Sequence, residues 1–250
     1  MITNHNYYID LAFQIAEKNL GHTRLNPSVG TIVVKNDTVI SSGVTSCNGR
    51  PHSEFNALNN LKNCTGATLY TTLEPCTHYG ETPPCTDVII KKKIKKVYYA
   101  FEDHDVRTYK KAKKILTLKG IKTKLIKTKK YSKFYKSYFI NKKLSIPFIT
   151  GKIAISNDYF TINTNNKWIT NKNSRNIVHL LRSRYDCILS TSKSINQDNS
   201  LLNCRINGLN NNKPDLFIID LKLKLRKKLS LKNCSKVRKI FLITNKDNLH

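Results

Sequence analysis

Three short motifs constrain this chain more than any other feature, because they set one histidine and two cysteines at the ends of expected elements. Pro51-His52-Ser53-Glu54 precedes the helical spacing of Phe55, Leu58 and Leu61. Thr72-Leu73-Glu74-Pro75-Cys76 closes an apolar run over 67–73 that reads as a strand. Pro83-Pro84-Cys85 opens a helical stretch that continues through Asp87–Lys92. One imidazole and two thiolates suit Zn²⁺, and three protein ligands leave a fourth position for water. His52 and Cys85 fall at expected helix N-termini, where the helix dipole favours thiolate over thiol. Singly, a His-x-Glu pair is most often a surface pair, and two cysteines nine positions apart are compatible with a core. Together, each at an element end, His52, Cys76 and Cys85 read as the ligands of a metal centre.

The order His-x-Glu, Pro-Cys, Cys is the logic of zinc deaminases. Glu54 lies two residues beyond His52, within one helical turn. It is placed to take a proton from water, deliver it to a ring nitrogen and help the amine leave as ammonia.

The rest of the chain reads as alternating strands and helices, which argues for an α/β layered domain. A helix is expected over 8–19, stopped by Gly21, and a hairpin with Val29–Val34 and Val39–Ile40 around residues 35–37. Strands are expected at Val97–Phe101 and Ile121–Ile126, with a helix at Lys110–Leu118. The aromatic stripe over 131–141 reads as helix packing rather than a base-stacking platform. A second unit begins near Ile146, with a strand over 146–156, a helix over 173–184, a strand over 186–190 and apolar runs at 216–221 and 240–244. The expected domains are therefore 1–145 and 146–250.

Charge needs separate weighing. The formal net charge is +28, from 44 basic and 16 acidic residues. Over 91–143 there are 20 basic residues against Glu102, Asp103 and Asp105. Thirty-five of the cations are Lys, and Asn occurs 28 times. AT-rich codons produce that bias without a partner, so the surface reads as solvated lysine faces with a general attraction for anionic substrates, not as a nucleic-acid interface. The seven cysteines are an odd set, and the N-terminus carries no leader pattern, so a disulfide framework is not expected. Without an apolar run of membrane-spanning length, the expectation is a soluble cytoplasmic protein with no membrane partner. His5, His22 and His250 read as surface residues, and the cysteines outside the motifs as buried or half-buried thiols.

With these motifs in place, the chain resembles the bifunctional riboflavin-biosynthesis deaminase/reductase family. The likeness rests on Asn26-Pro27-Ser28-Val29-Gly30, PHSEFNAL (51–58) and TLEPCTHYGETPPC (72–85). The eight residues between Cys76 and Cys85 are its most specific part. Further on, Lys152-Ile153-Ala154, Lys167-Trp168-Ile169-Thr170, HLLRSRYDCILS (179–190) and Asp198, Leu202 and Arg205 look like the start of the family's reductase domain. The resemblance implies a cytidine-deaminase-like three-layer α/β/α domain, followed by an incomplete dihydrofolate-reductase-like α/β domain. It implies hydrolytic deamination of diaminohydroxyphosphoribosylaminopyrimidine to 5-amino-6-(5-phosphoribosylamino)uracil, with His52, Cys76 and Cys85 on zinc, Glu54 as proton shuttle, and Asn26 and His78 lining the pyrimidine pocket. In the reductase half it implies Ala154, Trp168, Ser194 and Asp198 on NADPH, and Asn166, Arg182, Leu202 and Arg205 on the phosphoribosyl pyrimidine. A homo-oligomer is the family tendency.

Several positions depart from the family. Its second motif histidine is Asn56 here. A loop position that is usually Lys or Arg is Glu81, a carboxylate expected to repel a substrate phosphate. The Asp-Pro-Asn-Pro segment reads Asp103-His104-Asp105-Val106, a loop rebuilt with lysines nearby for anion binding. Ser-Leu-Asp-Gly reads Ser156-Asn157-Asp158-Tyr159, where a positive φ strains tyrosine. Residues 146–250 are roughly half of such a reductase domain, so a truncated, inactive reductase is expected. Two alternatives stay open: a zinc deaminase acting on another base, free or in RNA, and a decayed paralogue kept as a binding partner.

Overall fold

The structure is a computed structural model that describes residues 4–161, 168–209, 214–234 and 237–248. The chain divides into two compact units, Met1–Ile149 and Thr150–His250.

The first unit runs α1 (His5–Ala16), β1 (Gly30–Lys35), β2 (Thr38–Val44), α2 (Ser53–Asn59), β3 (Thr68–Leu73), α3 (Cys85–Lys91), β4 (Lys96–Phe101), α4 (Ala112–Leu118), β5 (Lys122–Leu125) and α5 (Lys136–Leu144). Its sheet has the order β2-β1-β3-β4-β5. The first three strands are antiparallel neighbours, and β3, β4 and β5 are parallel. Asn36 and Asp37 close the β1–β2 hairpin with φ of 50° and 56°. Those residue types tolerate the left-handed region that a two-residue hairpin loop requires.

Strand alternation explains the layers. Ile32, Val34, Tyr70, Tyr98 and Ala100 face Tyr8, Ile9, Ala12 and Phe13 of α1. Their chain neighbours Val33, Leu69 and Val97 face Ala57 and Leu58 of α2, Ile89 of α3 and Leu116 of α4. A period of two with both faces covered gives an α/β/α sandwich. Gly30 lets α1 sit directly on β1, because a Cβ there would lie 1.9 Å from the Ala12 carbonyl oxygen. The 131–141 aromatics pack as expected: Tyr131 stacks on Phe13 at 3.8 Å, and Phe139 meets Phe101 edge-on at 6.2 Å. His5 differs from expectation. It is half-buried, with Nδ1 2.9 Å from the Tyr70 hydroxyl and its ring against Tyr98. His22 is half-buried too, and His250 lies outside the described residues.

The second unit contains α6 (Lys172–Ser183), β6 (Cys187–Thr191), α7 (Ser192–Asp198), β7 (Asp215–Ile219) and β8 (Ile240–Ile243). The strands form a parallel sheet in that order, around Ile195, Leu216, Ile218 and Leu231. The short helix α7 has no apolar period to announce it; it starts on the Thr191 side chain, which accepts from the Ser194 N–H. The strand expected over 146–156 is not formed. An extended apolar segment becomes a strand only by sharing its N–H and C=O groups with a neighbour. Among the described residues no strand pairs with it. Tyr159 does adopt a left-handed φ of 67°. Of the remaining thiols, Cys64 and Cys204 are buried, whereas Cys47 and Cys187 are exposed, contrary to expectation. No helix among the described residues is long and apolar enough to cross a membrane.

Candidate active site

The three motifs meet at one end of the first sheet. His52 precedes the first residue of α2, Cys76 follows β3, and Cys85 is the first residue of α3. Cys76 Sγ lies 3.6 Å and Cys85 Sγ 3.4 Å from His52 Nδ1, and the Cys85 backbone N–H donates to Cys76 Sγ at 3.2 Å. The nitrogen and sulfur atoms that face one another lie within 4.8 Å. Hydrogen bonding from Cys85 holds the Cys76 thiol well below the ordinary thiol range, with His52 adding to it against burial. The shared hydrogen bond with Cys76, together with burial, pushes Cys85 up. Coordination to a divalent ion deprotonates a thiol outright. One imidazole with two converging sulfurs therefore fits a zinc ion with an open position.

Glu54 is buried beside this cluster, 3% exposed. Burial raises its carboxyl above the usual range, against the charge of His52. Ser53 Oγ lies 3.0 Å from Glu54 Oε2 and 2.8 Å from Thr31 Oγ1 on β1, which fixes the carboxyl from the sheet side. The group is thus oriented and poorly solvated.

An open cleft reaches these groups. Asn26, His52, Glu54, Cys76 and His78 all line it. Asn26 Nδ2 donates to the Gly49 carbonyl at 3.1 Å, and His78 Nδ1 lies 3.2 Å from Thr108 Oγ1. Gly49 is required there: its φ is 92°, and a Cβ would lie 2.5 Å from Asn26 Nδ2. Asn56, by contrast, serves the scaffold, donating to the Val44 carbonyl at 2.7 Å and lying 2.9 Å from Ser46 Oγ.

Sequence reasoning missed a polar part of the wall, where Arg50, Arg107, Tyr138 and Lys142 stand with the carboxylates of Glu74, Asp103 and Asp105. Arg107 and Lys142 belong to the basic 91–143 segment, where composition gave no means of separating them from solvated lysines. The 103–111 loop is organised by two buried carboxylates. Glu74 accepts from the backbone N–H groups of Asp103 at 3.2 Å, Lys110 at 3.0 Å and Ala112 at 3.0 Å. Glu74→Ala leaves two buried donors, and the less buried Lys110 N–H, without their acceptor and is expected to cost about 3–5 kcal/mol in a denaturant melt. A loss below about 1 kcal/mol would contradict this role for Glu74. Asp105 accepts from Arg107 Nη2 at 2.7 Å and from Lys142 Nζ at 3.0 Å.

The Arg107 guanidinium, helped by Lys142, holds the Asp105 carboxyl well below the usual range. A depressed folded-state value gives stability that is complete above the unfolded value of ~3.9 and is lost as pH falls through the folded value. The melting temperature of Asp105→Asn should therefore lie below that of wild type at pH 7, and the gap should close on acidification. A gap that stays constant from pH 7 to below ~3 would contradict this.

In the second unit, Arg182 donates to the Asn203 carbonyl at 3.3 Å, His179 Nδ1 lies 3.0 Å from the same oxygen, and Arg205 donates to Asn203 Oδ1 at 2.8 Å. Leu202 belongs to the same turn, with φ 48°. Burial, then the charges of Arg205 and Arg238, lower Arg182. Ser194 and Asp198 are four residues apart on α7. Trp168 is 55% exposed under the Arg175 guanidinium, at 4.5 Å, and Ala154 is half-buried. Asn166 lies outside the described residues.

Comparison with known proteins agrees with this geometry. Residues 2–101 match the cytidine and deoxycytidylate deaminase zinc-binding region, and residues 147–250 match the RibD C-terminal domain. The fold and site thus define a cytidine-deaminase-like domain with a metal-binding cluster, joined to a reductase-like domain. The chain is 34% identical over 245 residues to the riboflavin biosynthesis protein RibD of Aquifex aeolicus, covering 96% of this chain and 68% of that protein. It is also 34% identical to RibD of Bacillus amyloliquefaciens, covering 80% of this chain and 55% of that one. The solved deaminase/reductase of Thermotoga maritima superposes with a TM-score of 0.85 at 28% identity, over 98% of this chain and 70% of that one. Form 1 of Acinetobacter baumannii RibD gives 0.86 at 28% identity, over 96% and 69%. The chain belongs to the RibD family of riboflavin biosynthesis proteins.

Proposed function

We propose that this protein hydrolyses diaminohydroxyphosphoribosylaminopyrimidine to 5-amino-6-(5-phosphoribosylamino)uracil and ammonia. The observation that carries the reading is the buried Glu54 carboxyl beside converging His52, Cys76 and Cys85 in a cleft that also presents Asn26 and His78. His52, Cys76 and Cys85 are the residues that hold zinc. When bound, the ion supplies Lewis-acid chemistry that makes water a nucleophile near neutral pH.

Every other part of the reaction falls to side chains. Asn26 and His78 orient the pyrimidine over Glu54. Glu54, kept in place by Ser53, accepts the proton released from the attacking water. It passes that proton to the ring nitrogen, and a second proton goes through it to the departing amine. The carbon–nitrogen bond breaks, oxygen from water stays on the ring carbon, and ammonia leaves. Burial makes the Glu54 carboxyl hold a proton more readily than a solvated glutamate, which suits a group that must both take and give one.

In the second unit we assign Ala154, Trp168, Ser194 and Asp198 to NADPH. The Ser194 hydroxyl and the Asp198 carboxylate, one helical turn apart, suit the hydroxyl and amide groups of a dinucleotide. NADPH supplies hydride when bound. Asn166, Arg182, Leu202 and Arg205 are assigned to the phosphoribosyl pyrimidine; the clustered cations Arg182 and Arg205, with no carboxylate partner among the described residues, suit its phosphate.

The described cysteines are free thiols, which supports a reducing, cytoplasmic setting. Association of copies is checked by sedimentation. A deaminase acting on RNA finds less support because of the eight-residue spacing between Cys76 and Cys85, and a binding-only role because a binding module has no need for the buried Glu54 beside the cluster. Ammonia release from the free precursor, compared with release from RNA, tests the assignment. Activity on RNA alone would replace it.

A further inference from the structure

Arg50 stands on the rim of the cleft, two residues before His52. Its guanidinium is seated on the loop between the two cysteines. Nε faces Glu81 Oε2 at 3.4 Å, and Nη1 donates to Thr82 Oγ1. Nη2 lies over Gly80, where a Cβ would be only 3.2 Å away. Three consecutive loop residues therefore shape a seat for one side chain, and the Arg50 side chain is 23% exposed. Nη2 donates to no acceptor among the described residues. The other two cations of the cleft are differently engaged: Arg107 sets Nε and Nη2 on Asp105, at 2.9 Å and 2.7 Å, and Lys142 donates to the same carboxylate. Glu81 is 85% exposed, so its charge is largely screened by water and salt at any distance beyond the contact itself.

We propose that Arg50 recognises the phosphate tail of the substrate, and that Glu81 is a positioning residue that holds the guanidinium for it. A rigid guanidinium with an unused donor edge matches phosphate oxygens better than a mobile ammonium does. The proposal rests on the deaminase reading and places the specificity for a phosphorylated pyrimidine in one residue pair. It also reverses the expectation that Glu81 repels the phosphate.

The test measures ammonia release from the phosphoribosyl substrate and from its dephosphorylated riboside, with ribose 5-phosphate binding followed by calorimetry. Arg50→Gln is expected to raise KM for the phosphorylated substrate about 10–100-fold, and by a much smaller factor for the riboside. Glu81→Ala is expected to raise the same KM by a smaller factor, because the guanidinium loses its anchor. A fall in KM on removing Glu81, or an equal effect of Arg50→Gln on both substrates, would overturn the proposal. If Arg50→Gln does not fold, the direction of the Glu81→Ala change decides. If wild type releases no ammonia, the deaminase reading fails by itself. The proposal is then decided by ribose 5-phosphate affinity: at least tenfold weaker in Arg50→Gln supports it, and unchanged overturns it.

Discussion

Glu54→Gln is expected to lower kcat for ammonia release by about 10²–10⁴-fold while zinc content and melting temperature stay close to wild type. The substitution preserves shape and the contact with Ser53 Oγ, so the packing around a side chain that is 3% exposed is kept. What disappears is the ability to carry a proton. The loss should fall in kcat more than in KM, because the interaction matters where protons move in the transition state. Ammonia assays with zinc quantified in the same samples make the check. A variant that keeps full zinc and more than about a tenth of wild-type kcat would remove Glu54 from the mechanism.

The second large effect is expected at Cys85. It is 3% exposed at the first turn of α3, and its backbone N–H already points at Cys76 Sγ. Cys85→Ala leaves His52 and Cys76, too few ligands for a tight zinc site. Zinc content after dialysis is expected to fall from about one ion per chain to near zero, with ammonia release lost in parallel. Because a metal that binds only the folded state stabilises it by mass action, chelation should lower the melting temperature of wild type but not of Cys85→Ala. Equal lowering in both proteins would show that the metal sits elsewhere.

Much of the first unit is legible in the sequence, for physical reasons. Its strands alternate between two buried faces, so β1, β3 and β4 announce themselves by composition and by the turns around them. His52, Cys76 and Cys85 are legible because each follows a proline at an element end. The wall of the cleft is not. Arg50, Arg107 and Lys142 are three cations among 44, and only their partners Glu81 and Asp105 distinguish them from solvated surface. Glu74 sits inside a legible motif, yet its task, binding the 103–111 loop through three backbone donors, depends on contacts up to 38 residues away. Residues 146–156 have a strand's composition, but among the described residues no strand pairs with them, and α7 is too short to show a period. Both outcomes depend on long-range pairing that local pattern does not encode.

The most direct measurement is ammonia release from diaminohydroxyphosphoribosylaminopyrimidine by the zinc-loaded protein, followed together with formation of the aminouracil. Equal amounts of ammonia and 5-amino-6-(5-phosphoribosylamino)uracil, abolished by Glu54→Gln, are the predicted result. No ammonia from protein that holds zinc at His52, Cys76 and Cys85 would contradict the account.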